Sequence, residues 1–168
     1  MTHLPGLFEG TFRQTAWITN DMDGALELFA RDYGITDWLQ FRNFNMQTGP
    51  DRFADTNFSL AKRGGIELEL IQPLGGADEV YVQALQGKPN GLQVCFHHIC
   101  YLQQTREALE RLRAAAQSRG REIVLSGLTE SGTTYFYTDD RTTLGHHVEY
   151  IYYPEADYAH LESIIPVN

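Results

Sequence analysis

Short apolar segments and polar breaks follow one another along this chain in an order that comes twice. Residues 12–19 are rich in Thr, Trp and Ile and predict a strand. Asn20 and Asp21 then offer a helix N-cap, with Asp23 in the first turn. Met22, Ala25, Leu26, Leu28 and Phe29 recur at helical spacing as far as Tyr33, and Gly34 stops the helix. Residues 38–44 read as a second strand. The polar run 46–54 contains Gly49-Pro50-Asp51 and predicts a loop, a candidate lid over a site. Residues 57–62 and 66–71 predict a hairpin turned by Arg63-Gly64-Gly65.

After a connection with a short helix over 79–85, the order returns. Residues 94–102, VCFHHICYL, predict a strand, and a helix follows over 105–118. A strand over 122–127 and a hairpin of strands near 132–138 and 146–153 close the repeat. Residues from 154 onward are expected to pack over the surface and to carry no site. The chain is therefore expected to be a single α+β domain over 1–168. It comprises a first βαβββ module (10–73), a connection (74–93), a second βαβββ module (94–153) and a C-terminal tail (154–168). One helix covers only one face of a four-stranded sheet, so two modules side by side predict a curved mixed sheet whose bare face forms a cleft.

Charge narrows the function classes. With 22 acidic and 13 basic residues the net charge is −9, which argues against nucleic acid as a partner. No apolar run reaches membrane-spanning length, and the first twelve residues lack the basic-then-apolar order of a signal peptide. Cys95 and Cys100 stand five positions apart on one predicted strand, on opposite faces, and cannot pair. A reduced, cytoplasmic protein is the expectation.

The candidate chemistry lies on the first and last strands of each module. Gln14 precedes Asp21 by seven residues and His98 precedes Thr105 by seven; Glu69 stands four after Gly65 and Glu149 four after Gly145. Gln14 and His98 are 84 positions apart, Glu69 and Glu149 80. Carboxylates on strands this apolar are costly to bury unless paired or bound to a cation. An imidazole, an amide oxygen and two carboxylates suit a divalent metal with positions left for water or substrate. Glu67 shares a face with Glu69, but only Glu69 matches Glu149 in the repeat. His147 shares the face of Glu149 and either orients it, touches substrate or simply packs. The aromatic group that includes Trp17, Phe41, Phe44, Tyr135 and Tyr137 is core by default, and also suits an aromatic or apolar small-molecule substrate.

The segments QTAWITNDMDGAL, IELELIQPL, FHHICY and LGHHVEYI, in this order and spacing, resemble the vicinal-oxygen-chelate superfamily. That superfamily includes glyoxalase I, methylmalonyl-CoA epimerase, extradiol dioxygenases and bleomycin-resistance proteins. The resemblance covers 10–153 and implies a metal held by Gln14, Glu69, His98 and Glu149, with His97 turned towards the helices. It implies a divalent ion (Zn, Ni, Co or Mn), a homodimer, and Glu149 as catalytic base with Glu69 as the second candidate. The ligand set is most similar to the glyoxalase I and epimerase branch of isomerases and lyases. Ile18 stands where glyoxalase I carries a glutathione-binding arginine, and Gln14 departs from the first-strand histidine of the epimerases and dioxygenases. A metal-free binding protein of the resistance type and a ring-cleaving dioxygenase remain as alternatives.

Overall fold

In a computed structural model, which describes residues 4–168, the strands β1 (Thr11–Thr19), β2 (Leu39–Gly49), β3 (Arg52–Arg63) and β4 (Ile66–Gly76) make the first half. Strands β5 (Val94–Gln103), β6 (Ile123–Leu128), β7 (Thr134–Asp139) and β8 (His147–Tyr152) make the second. They join in one eight-stranded sheet in the order β2-β3-β4-β1-β5-β8-β7-β6. Its centre is the antiparallel pair β1–β5, flanked by the parallel pairs β1–β4 and β5–β8. The first three residues of the N-terminal stretch considered above lie outside the described residues.

Helix α1 (Met22–Tyr33) starts where the Asp21 side chain accepts from the Gly24 N–H, and ends at Gly34 with φ 67°. It buries Met22, Ala25 and Phe29 against Leu70 and Trp17 on the outer face. Helix α3 (Arg106–Ser118) is capped by Thr105 and sets Leu109 and Leu112 on Phe136, Val148 and Tyr150. The connection between the halves contributes α2 (Glu79–Val82) and a 3-10 turn (Gln83–Leu85). These pack over Ile18, Ile71 and Cys100 on the cleft face. The sheet curls until its outer strands approach each other. Gln47 on β2 accepts from the Leu128 N–H through its side chain (2.8 Å) and from the Tyr135 hydroxyl through its carbonyl (2.7 Å).

Two expectations give way here. Residues 46–54 are not a lid: β2 and β3 run through them, with Gln47 opposite Phe53 and a turn at Pro50-Asp51. The polar side chains that suggested a loop belong to a strand pair with an exposed face. The tail is not a passive cover either. It forms α4 (Glu155–Ile164), Val167 bridges to Lys62 on β3, and the Asn168 side chain accepts from the Thr36 and Asp37 N–H groups. Among the described residues no helix is long and apolar enough to cross a membrane.

Candidate metal and proton-transfer site

The two halves match in register as well as in order. Ala16 stands opposite Glu69 and Cys100 opposite Glu149; one step along, Gln14 stands opposite Glu67 and His98 opposite His147. Thus Gln14 and His98, Glu67 and His147, and Glu69 and Glu149 occupy equivalent places in the two modules.

The central pair carries two bulges, also at equivalent places. On β1, Gln14, Ala16 and Ile18 advance two at a time, while their partners on β5 are Cys100, His98 and Cys95. His97 is therefore the extra residue on β5, and Arg13 the extra residue on β1 between Phe12 and Gln14. A bulge breaks strict alternation, and both residues turn to the cleft side. His97 is thus not turned towards the helices of the outer face: its ring lies beside those of His98, Tyr81, Tyr137 and His147. The same bulge puts Cys95 and Cys100 on one face instead of two, and both remain free thiols.

His98 is fully buried, and its Nε2 lies 3.2 Å from Glu149 Oε2 and 3.4 Å from Glu69 Oε2. The Tyr137 hydroxyl is 3.5 Å from the same nitrogen. On the other edge of the ring, His98 Nδ1 is 2.8 Å from His97 Nδ1, and His97 Nε2 is 3.1 Å from the Val80 carbonyl oxygen. The carbonyl can only accept, so His97 carries its proton on Nε2 and its Nδ1 accepts from His98 Nδ1–H. Burial, with the charge on His98, holds His97 neutral by depressing its pKa well below the usual value. The relay leaves His98 Nε2 facing the carboxylates. Burial alone would lower His98, but hydrogen bonds to Glu149 and Glu69 outweigh it and bring the imidazole up to about 9.

Gln14, Glu69 and Glu149 line a cavity of about 180 Å³ on the cleft face, with His98 beneath them. Phe41, Phe44 and Phe58 wall it on one side, Tyr135, Tyr137 and Ile151 on the other. Glu67 also reaches it, but Arg13 holds that carboxylate at 2.7 Å. Burial nevertheless raises Glu67 to about 7, against the pull of Arg13. The guanidinium also meets Glu162 of α4 at 2.9 Å and lies over the rings of Tyr153 and Tyr158. Two contributions of α4 that the sequence reading missed are therefore Glu162 and Leu161, which lines the cavity. His147 packs on His97, with Nδ1 3.3 Å from the Thr138 carbonyl, and does not reach this cavity.

Among the described residues no set of three or more His, Cys, Asp and Glu side chains forms a preformed metal cluster. The donor chemistry nonetheless fits a divalent ion. Two donors about 2.1 Å from one ion at tetrahedral angles stand about 3.4 Å apart, and His98 meets the carboxylates at 3.2 and 3.4 Å. A proton on His98 Nε2, facing both carboxylates, would stand where a cation would bind. All four residues belong to one chain.

A family model described as the Glyoxalase/Bleomycin resistance protein/Dioxygenase superfamily matches residues 13–137. Among solved structures, the hypothetical protein BH1468 from Bacillus halodurans C-125 has a TM-score of 0.60 at 15% identity, covering 88% of this chain and 96% of that one. Methylmalonyl-CoA epimerase from Mycobacterium tuberculosis has a TM-score of 0.57 at 13% identity, covering 91% and 93%. A methylmalonyl-CoA epimerase in complex with methylmalonyl-CoA and NH4+ has a TM-score of 0.56 at 16% identity, covering 87% and 96%. At such identities the likeness is one of fold. No curated protein sequence matches the chain.

Proposed function

The chain belongs to the glyoxalase/bleomycin resistance protein/dioxygenase superfamily, and we propose that it is a divalent-metal-dependent isomerase, epimerase or lyase. It would move a proton next to a carbonyl, or next to vicinal oxygens, of a small organic substrate. One observation carries this reading: His98 Nε2 faces the carboxylates of Glu149 and Glu69 at 3.2 and 3.4 Å, on the floor of a largely apolar cavity.

Gln14, Glu69, His98 and Glu149 would hold the ion, here Zn, Ni, Co or Mn. Its chemistry when bound is to polarise the substrate oxygen and stabilise the negative charge that develops there. The remaining work belongs to the chain. Glu149 takes the proton, and the C–H electron pair moves into the adjoining carbonyl. Delivery of a proton to the opposite face of the same carbon epimerises the substrate; where that carbon bears a hydroxyl, delivery to the former carbonyl carbon with loss of the hydroxyl proton isomerises it. Departure of a group from the next carbon instead completes a lyase reaction. Glu69, from the other module, is the second candidate base. The aromatic walls limit water at the floor, which strengthens electrostatic interactions there. Burial raises the Tyr137 hydroxyl well above its usual value, so it stays a neutral donor beside the floor.

A second reading, a metal-free ligand-binding protein, draws on the ability of a protonated His98 to satisfy both carboxylates by itself. The experiment that separates them follows solvent deuterium entering a bound carbonyl compound, by mass spectrometry. Wild-type protein with metal should catalyse the exchange, and Glu149→Gln should slow it by about 10²–10⁴-fold. Absence of exchange in the metal-loaded protein, or consumption of dioxygen in step with turnover, would refute the proton-transfer reading.

A further inference from the structure

The cavity also carries information about the far end of its ligand, the part away from the reacting floor. The rings of Phe41 and Phe58 stack with centroids 4.4 Å apart at 16°, and Phe44 meets Phe58 edge-on at 5.1 Å. Tyr135 also lines the cavity, and its hydroxyl proton is already donated to the Gln47 carbonyl at 2.7 Å, so it offers a ligand its ring and an acceptor oxygen but no donor. Thr129 and Thr133, which line the cavity from the connection between β6 and β7, are uncharged. No lysine or arginine lines the cavity among the described residues. The nearest buried guanidinium, Arg13, is held by Glu67 and Glu162.

We infer that the ligand is a neutral compound with a body about the size of one ring, and that this cavity rejects a carboxylate or phosphate at the far end of that body. The volume of about 180 Å³ is comparable to the roughly 150 Å³ apolar cavity that accepts benzene. An aromatic ring has a flat face for offset stacking on Phe58 and an edge for Tyr135. A charge among these rings would be desolvated with no partner. A divalent ion balances Glu69 and Glu149 and leaves no positive charge further out. The inference rests on the proposed carbonyl chemistry only for which end of the ligand points down.

Two probes of the same shape test it: 4-nitroacetophenone, which is neutral, and 4-acetylbenzoate, in which a carboxylate replaces the nitro group. Binding to the full chain is measured by calorimetry with and without added Zn²⁺, and exchange of the probe's methyl protons in D₂O is followed in the same samples. The neutral probe should bind at least about tenfold more tightly than the carboxylate, a modest demand for an unpaired charge in an apolar site. Phe58→Ala should weaken it about tenfold, and Phe58→Leu, which keeps most of the packing, should weaken it less while thermal unfolding confirms both folds. Equal or tighter binding of 4-acetylbenzoate, or binding of the neutral probe that is indifferent to both Phe58 variants, would overturn the inference. Discrimination without exchange would leave the ligand class standing and sink the proton-transfer reading; exchange without discrimination would do the reverse.

Discussion

His97 Nδ1 lies 2.8 Å from His98 Nδ1, and the two rings meet nearly edge to face at 82°. Adjacent residues on a regular strand point to opposite faces; here the bulge brings both rings into one site. His97 then orients His98 through a relay that ends on the Val80 carbonyl. Removing such an outer-shell partner typically costs about 10–100-fold in metal affinity. His97→Ala should therefore weaken Zn²⁺ binding by that much, read by competition with a chelating dye, while circular dichroism stays close to wild type. A variant with unchanged affinity would reduce His97 to packing.

Arg13 is the bulge residue of the other module, and its pair with Glu67 is the counterpart of His97 against His147; both side chains of the pair are nearly inaccessible. Breaking a buried pair from one side leaves a charge without a partner, at a cost of about 3–5 kcal/mol. Arg13→Met should lower stability by that order in urea unfolding, and adding Glu67→Gln should recover much of it. A small loss in the single variant, or no recovery in the double, would show that the pair does not act as a unit.

The seam where the sheet nearly closes depends on a glycine. Gly127 stands opposite Tyr135, and a Cβ there would overlap the Tyr135 ring. Gly127→Ala should cost about 1–3 kcal/mol through overpacking. Tyr135→Phe, which only removes the donor to the Gln47 carbonyl, should cost about 1 kcal/mol. Thermal unfolding of the two variants checks the ranking, and the reverse order would contradict it.

Much of this arrangement is legible in the chain. The 84- and 80-residue offsets that relate Gln14 to His98 and Glu69 to Glu149 are the offsets set by the ladders, where Ala16 faces Glu69 and Cys100 faces Glu149. Helix α1 and its caps at Asp21 and Gly34 follow from local chemistry and need no tertiary information. The bulges at Arg13 and His97 leave no such mark. One unpaired residue changes neither composition nor apolar spacing; only the partner strand reveals it. The strands through 46–54 were hidden for a related reason, since polar residues on an exposed strand face look like those of a loop. Helix α4 has only a weak apolar stripe, and its docking through Glu162 to Arg13 and Lys62 joins residues far apart in sequence.

The central claim is that Gln14, Glu69, His98 and Glu149 hold one divalent ion. Its most direct test is elemental analysis of purified wild-type protein and of His98→Ala after each is equilibrated with Zn²⁺, Ni²⁺, Co²⁺ or Mn²⁺ and freed of unbound metal. The account predicts about one ion per chain in the wild type with at least one of these metals, and loss of most of it in a folded His98→Ala. Full metal content in His98→Ala, or a wild-type chain that retains none of the four ions, would contradict it.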